Sequence, residues 1–105
     1  MILSILGKTY KVEYVPYSLA ETTEGYQTGG VDYDSCIIKI MTENRGVKTT
    51  EEALSQCLWH EIVHAFNDAM QMDLDKKNIE RLATAMNMFV QENRDFFKEV
   101  QDEKY

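Results

Sequence analysis

The first half of the chain carries short runs of apolar and alternating residues, which are typical of β-strands. Residues 2–6 are apolar, Gly7-Lys8 indicates a turn, and residues 9–15 alternate between apolar and polar positions. The pattern therefore predicts a β-hairpin, and we expect Pro16 to end its second strand.

Two more strands are predicted after a polar loop that covers residues 18–30 and contains three glycines. Residues 31–33 and 36–41 form the two strands, and the chain turns between them at Asp34-Ser35. Residues 42–49 form a second loop before the pattern changes to helical spacing.

The second half of the chain has apolar residues at the spacing of two helices. Thr49 and Glu52 fit a capping box that begins the first helix, and this helix fades near Gln71. Residues 72–77 form a short connection, and the charged tail from Lys98 is expected to fray. One stripe of the second helix is apolar: Ile79, Leu82, Ala83, Met86, Val90 and Phe97. An adjoining face is polar and either lines a groove or faces water: Glu80, Thr84, Asn87 and Gln91.

The first predicted helix contains a His-Glu-x-x-His motif, the zinc-site motif of metallopeptidases. His60 and His64 are four residues apart, so both imidazoles lie on one helix face and can reach one zinc ion at about 2.0–2.1 Å. Glu61 flanks that face and can act as general base towards a zinc-activated water. The alternative is a buried amphipathic helix whose histidines are satisfied by hydrogen bonds. Glu61 argues against it, because an ionised carboxylate on an apolar face is costly unless it is paired or linked to a metal.

A catalytic zinc needs a third protein ligand, and the two histidines of the motif are the only ones in the chain. The third ligand must then be Asp, Glu or Cys, which excludes a three-histidine site. Glu80 is the preferred candidate because it lies 16 residues after His64, where a helical hairpin can fold it back over the motif. Asp73, Asp75 and Cys57 are the rivals, although Asp75 also suits the N-cap of the second helix.

The remaining chemical groups are weaker candidates. An oxyanion-stabilising group would help peptide hydrolysis, and Tyr33, Tyr26 or Arg81 would have to serve, since no further histidine exists. Each of them is also explained as a core, loop or surface residue. Thr84 could hydrogen-bond a zinc-ligating histidine, but helix packing explains this residue as well.

Composition and charge narrow the function classes. The 105 residues suit one domain, 1–105, and a hydrophobic fraction of 44% favours a folded core. A net charge of −7 without a Lys/Arg cluster argues against nucleic-acid binding, and no apolar run is long enough to span a membrane. Two cysteines and an N-terminus without a signal-peptide pattern predict a cytoplasmic protein with reduced thiols. The oligomeric state stays open.

The segment Leu58–Ala65, followed by Glu80–Ala83, resembles the ImmA/IrrE-like zinc metallopeptidases. The likeness is greatest to the short single-domain versions found in phages and prophages of Gram-positive bacteria. It covers most of the chain, but only four residues match specific motif positions: His60, Glu61, His64 and Glu80.

This resemblance implies a minimal zincin-like domain of the α+β class. Its sheet would have three or four antiparallel strands packed on two helices, with an edge strand that could hold an extended peptide. The implied site is gluzincin-like, with zinc held by His60, His64 and Glu80, and with Glu61 as the base. We expect a zinc-dependent peptidase that acts on a peptide or protein, in the bacterial host cell if a phage encodes it. The alternative is a non-catalytic, zinc-stabilised protein-binding module of phage origin, and a purely structural domain without metal ranks third.

Overall fold

The fold has three layers: a four-stranded sheet, a long helix across one face of it, and a second helix packed on the first. The computed structural model describes residues 1–16, 21–22, 25–26, 29–44 and 46–96. The α+β class predicted from the sequence is confirmed.

The four predicted strands are present, although the third covers residues 29–32 rather than 31–33, and in the described part of the chain four further strands of two residues each lie in the segments predicted as loops. They are β1 (Ile2–Ile5), β2 (Lys8–Val15), β3 (Glu21–Thr22), β4 (Gly25–Tyr26), β5 (Gly29–Asp32), β6 (Ile37–Met41), β7 (Glu43–Asn44) and β8 (Val47–Lys48). The main sheet has the order β1-β2-β6-β5, so β5 and β1 are its edges. The pairs β3–β4 and β7–β8 are small hairpins within the two segments that the sequence predicted as loops.

The sheet is mixed rather than antiparallel, which corrects one detail of the sequence prediction. The outer pairs β1–β2 and β5–β6 are antiparallel, but β2 and β6 run parallel at the centre. Alternating apolar and polar residues fit either direction of pairing, so the pattern alone could not distinguish them. The predicted hairpin forms, although its two-residue turn is Leu6-Gly7 rather than Gly7-Lys8. Both turn residues have positive φ, at 47° and 86°, as a type I′ turn requires.

The helices are α1 (Glu51–Met70) and α2 (Lys76–Glu92). Thr50, not Thr49, is the N-cap of α1, and its hydroxyl accepts a hydrogen bond from the Ala53 amide at 3.2 Å. The predicted end of α1 near Gln71 is confirmed, since Gln71 is the left-handed C-cap. Asp75 caps α2 as predicted, through the Asn78 amide at 2.8 Å.

Helix α1 supplies apolar side chains to both of its neighbours. Between α1 and the sheet lies a buried cluster formed by Ile5, Tyr10, Val12, Ile38, Ile40, Ile62 and Ala65. A smaller cluster of Val63, Ile79 and Ala83 lies between the helices. Two strips of the α1 surface therefore stay uncovered, one on each side between the sheet-facing residues and the α2-facing residues. The histidine motif occupies one of these strips.

The far end of the predicted second helix cannot be compared with the structure. Phe97 and the tail from Lys98 lie outside the described residues. Among the residues that are described, none of the helices is both long and apolar enough to cross a membrane.

Candidate metal centre

His60 and His64 point their ring nitrogens at each other from successive turns of α1. Their Nε2 atoms are 3.1 Å apart, and the ring centroids are 4.8 Å apart. Both side chains are half-buried, so they are accessible but held by their surroundings. Two imidazole nitrogens at this distance need either a proton or a cation between them, because each neutral acceptor carries a lone pair.

The spacing of the two Nε2 atoms fits one zinc ion. Two nitrogens about 2.0–2.1 Å from a tetrahedral ion lie roughly 3.3–3.4 Å apart, close to the observed separation. Burial, followed by the neighbouring His60, lowers the pKa of His64. A lowered pKa favours the neutral imidazole at neutral pH, which is the form that binds a metal.

Glu61 is a buried carboxylic acid between the two histidines in sequence. It is 7% exposed, and burial raises its pKa to about 7. None of the described residues forms a hydrogen bond or salt bridge with its carboxylate. However, no fully buried side-chain oxygen in the described chain lacks a partner, so the Glu61 oxygens must keep some solvent contact. The side chain is therefore a weak acid at the edge of the core.

The raised pKa of Glu61 predicts a specific pH dependence for the metal-free protein. Folding stabilises the protonated acid, so this contribution is fully present below about pH 4.5 and is lost as the pH rises through about 7. Glu61→Gln cannot lose a proton and should be more stable than the wild type above pH 7, by roughly 3 kcal/mol. Urea unfolding of both proteins in a chelator, at pH 4.5 and pH 8, measures this difference. If the difference in unfolding free energy between the two proteins were the same at both pH values, the raised pKa of Glu61 would be contradicted.

Gly29 on the edge strand β5 makes room for the Glu61 carboxylate. A Cβ atom at position 29 would lie 3.2 Å from Glu61 Oε1 and 3.3 Å from the Lys39 carbonyl oxygen. Gly29 pairs with the buried Ile40, so this side of β5 faces α1. The edge strand and the carboxylate are thus in direct proximity.

Gly29→Ala should destabilise the fold by about 1–2 kcal/mol, because an added methyl group crowds both the carboxylate and the backbone. Gly30→Ala is the matched control, since alternation along the strand directs its methyl group to the opposite face, beside Lys39. We expect the control to be neutral or slightly stabilising. Denaturant unfolding compares the two, and equal effects would show that Glu61 does not require the space at Gly29.

Glu80 is exposed on α2, the helix that packs on the histidine-bearing α1. The polar stripe of α2 pairs with α1: Gln56 donates to Thr84 at 3.0 Å, and Asn87 donates to Gln56 at 3.1 Å. The helices are antiparallel, so one turn forward from Gln56 is His60 and one turn back from Thr84 is Glu80. This register is the reason that Glu80 stays the preferred candidate for the third ligand.

The structure does not gather a complete three-ligand set. Among the described residues, no group of three or more His, Cys, Asp and Glu side chains is arranged to hold a metal ion. Asp75 is occupied as the α2 N-cap, and Asp73 is exposed with a positive φ of 57°. Cys57 is a half-buried free thiol that packs against the core. Two candidate ligands, His60 and His64, converge, and the third stays a prediction with Glu80 as the preferred residue.

Tyr33 is a candidate electrophile that contacts the motif. Its hydroxyl donates to the His64 carbonyl oxygen at 3.4 Å, from the turn that follows β5. Burial, followed by Asp68 and then Glu61, raises its pKa. Arg81 is exposed on α2, and Tyr26 lies in β4 with its side chain outside the described part of the structure. Thr84 hydrogen-bonds to Gln56 and therefore supports the helix pairing.

The sequence prediction did not include Gly29. It also did not include Gln56, the α1 residue that hydrogen-bonds to the polar stripe of α2. A glycine at the start of a short strand carries no sign of the carboxylate that will lie over it, because the contact is made by a helix 32 residues later. Gln56 had a usable signal: it lies one turn before His60, on a helix whose neighbour carries a polar stripe.

A scan of the chain against protein-family models, a search of curated proteins and a search of solved structures each found no match. The resemblance to the zinc metallopeptidases therefore rests on the motif residues of the sequence alone.

Proposed function

We propose that this protein is a zinc-dependent peptidase that hydrolyses peptide bonds. The observation that carries the proposal is the pair of His60 and His64 Nε2 atoms, 3.1 Å apart, on the same helix as the buried Glu61. Two imidazoles that can bind a metal and an adjacent residue that is a weak acid are the groups that this reaction requires.

The metal would be held by His60 and His64, with Glu80 as the proposed third ligand. When bound there, zinc supplies Lewis-acid activation of water and of the scissile carbonyl. The donor set suits zinc because imidazole and carboxylate are both ordinary zinc ligands. Glu80 lies on α2 and the histidines on α1, so metal binding would also tie the two helices together.

Glu61 is the proposed general base. A base works best when its pKa lies near the operating pH, and burial raises the pKa of Glu61 to about 7. Glu61 would take a proton from the attacking water and later deliver it to the departing amine. The Tyr33 hydroxyl, which donates to the His64 carbonyl oxygen at 3.4 Å, would have to exchange this partner to donate a hydrogen bond to a substrate.

The proposed substrate is an extended peptide segment. Strand β5 is an edge of the main sheet, and Gly29 on this strand lies next to Glu61. An open edge can pair with an extended chain through backbone hydrogen bonds, which would bring a peptide bond to the carboxylate. Both Cys36 and Cys57 are free thiols, which supports the cytoplasm as the proposed location.

Peptide mapping by mass spectrometry tests this proposal without a known substrate. A mixture of proteome-derived peptides is incubated with the zinc-loaded wild type, with zinc-loaded Glu61→Gln and with the chelated wild type. We expect new peptide termini only with the zinc-loaded wild type. Stoichiometric zinc without any cleavage would support the non-catalytic, zinc-stabilised binding module instead. Absence of zinc binding would contradict both functions.

A further inference from the structure

The outer face of α2 is apolar although this helix is already packed on α1. Ile79 and Ala83 are buried against α1, whereas Leu82 is 39% exposed and Phe89 is 51% exposed. Phe96, beyond the end of α2, has its ring centroid 6.1 Å from that of Phe89. We call the surface formed by Leu82, Ala85 and Phe89 the outer patch.

The outer patch has the spacing of a helix–helix seam. Leu82 and Phe89 are seven residues apart, so they lie on one line along the helix, with Ala85 between them. A two-fold axis near Ala85 would place Leu82 of one chain against Phe89 of another, in antiparallel orientation. The small Ala85 side chain at the crossing point lets two helices approach closely.

The charges beside the outer patch are complementary under the same symmetry. Arg81 and Glu92 lie on the same flank of the Leu82–Phe89 line, at opposite ends of it. Both side chains are exposed, and neither forms a salt bridge with another described residue. In an antiparallel pair, Arg81 of one helix comes within about one turn of Glu92 of the other, twice per pair.

We propose that the outer patch of α2 is the interface of a homodimer, formed by antiparallel packing of α2 against α2 of a second copy. A second copy is favoured over a lipid surface because the flank carries one cation and one anion in self-complementary positions. The helix is 17 residues long, or about 25 Å, so the contact falls below the size of a standard stable interface. The dimer should therefore be weak, with a dissociation constant in the micromolar range.

Sedimentation velocity on the full chain, from about 1 to 500 µM, tests the proposal. We expect reversible dimerisation in the wild type, and a loss of at least about tenfold in affinity for Leu82→Gln combined with Phe89→Gln. Val47→Gln is the matched control, because Val47 is an exposed apolar residue on β8. All the substituted side chains are solvent-exposed, and circular dichroism verifies that each variant is folded.

A charge exchange tests the orientation of the two helices. Arg81→Glu alone and Glu92→Arg alone should each weaken the dimer about tenfold, because each places like charges opposite one another. The double exchange, Arg81→Glu with Glu92→Arg, should restore dimerisation. A chain that stays monomeric at 500 µM would overturn the proposal. A dimer that is insensitive to the outer-patch variants, or that the double exchange does not restore, would overturn it as well.

Discussion

Glu61→Gln is expected to lower peptide turnover by about 10²–10⁴-fold, the usual contribution of a positioned general base. Glutamine matches glutamate in shape and fills the same space over Gly29, so the fold should be retained. It cannot accept a proton from water, however, and the catalytic step should fail. Zinc affinity should change little, because Glu61 is proposed as a base and not as a ligand.

The measurement is the turnover of a cleaved peptide by both proteins at matched zinc occupancy. Glu52→Gln is the control, since Glu52 is an exposed carboxylate in the first turn of the same helix. The control should retain wild-type rates. If Glu61→Gln also retained them, Glu61 would have no part in the reaction.

Glu80→Ala should weaken zinc binding by at least about 100-fold. A zinc-binding free energy of about 10–16 kcal/mol that is divided among three or four ligands makes each ligand worth several kcal/mol. The register of the hydrogen-bonded stripe, from Gln56–Thr84 to His60–Glu80, is the physical basis of this prediction. Because Glu80 is exposed, its removal should cost the metal-free fold little.

Competition with a chromophoric zinc chelator measures the affinities. The controls are Asp73→Asn and Asp75→Asn, which remove the rival carboxylates and preserve the local backbone. Asparagine tolerates the positive φ at position 73 and is as good an N-cap as aspartate at position 75. Wild-type affinity for Glu80→Ala would remove it from the site, and Cys57 or Asp75 would become the leading third ligand.

The helices and their ends were largely predictable because they depend on local chemistry. Apolar spacing over many turns specified α1 and α2, and Asp75 capped α2 where its short polar side chain indicated. The N-cap of α1 was misplaced by one residue because Thr49 and Thr50 are equally good caps. Which of the two caps the helix depends on the position of the backbone where the β7–β8 hairpin ends.

The arrangement of the sheet depends on contacts that no local pattern records. Strands β2 and β6 run parallel because β6 reaches the sheet only after β5, which lies on its far side. The histidine pair was predictable, since a spacing of four residues on a helix determines its geometry. The burial of Glu61 against Gly29 and the hydrogen-bonded register of Gln56 with Thr84 arise from packing between separate elements.

Zinc titration into the chelator-treated chain tests the central claim most directly, with the unfolding temperature followed for wild type, His60→Gln and His64→Gln. We predict that the wild type binds one zinc and is stabilised by about 4 kcal/mol when free zinc exceeds the dissociation constant 1,000-fold. Each histidine variant should lose this stabilisation, while its metal-free unfolding temperature stays near that of the wild type. If the wild type did not bind zinc, or if both variants bound zinc as tightly as the wild type does, the metal centre would not exist at these histidines.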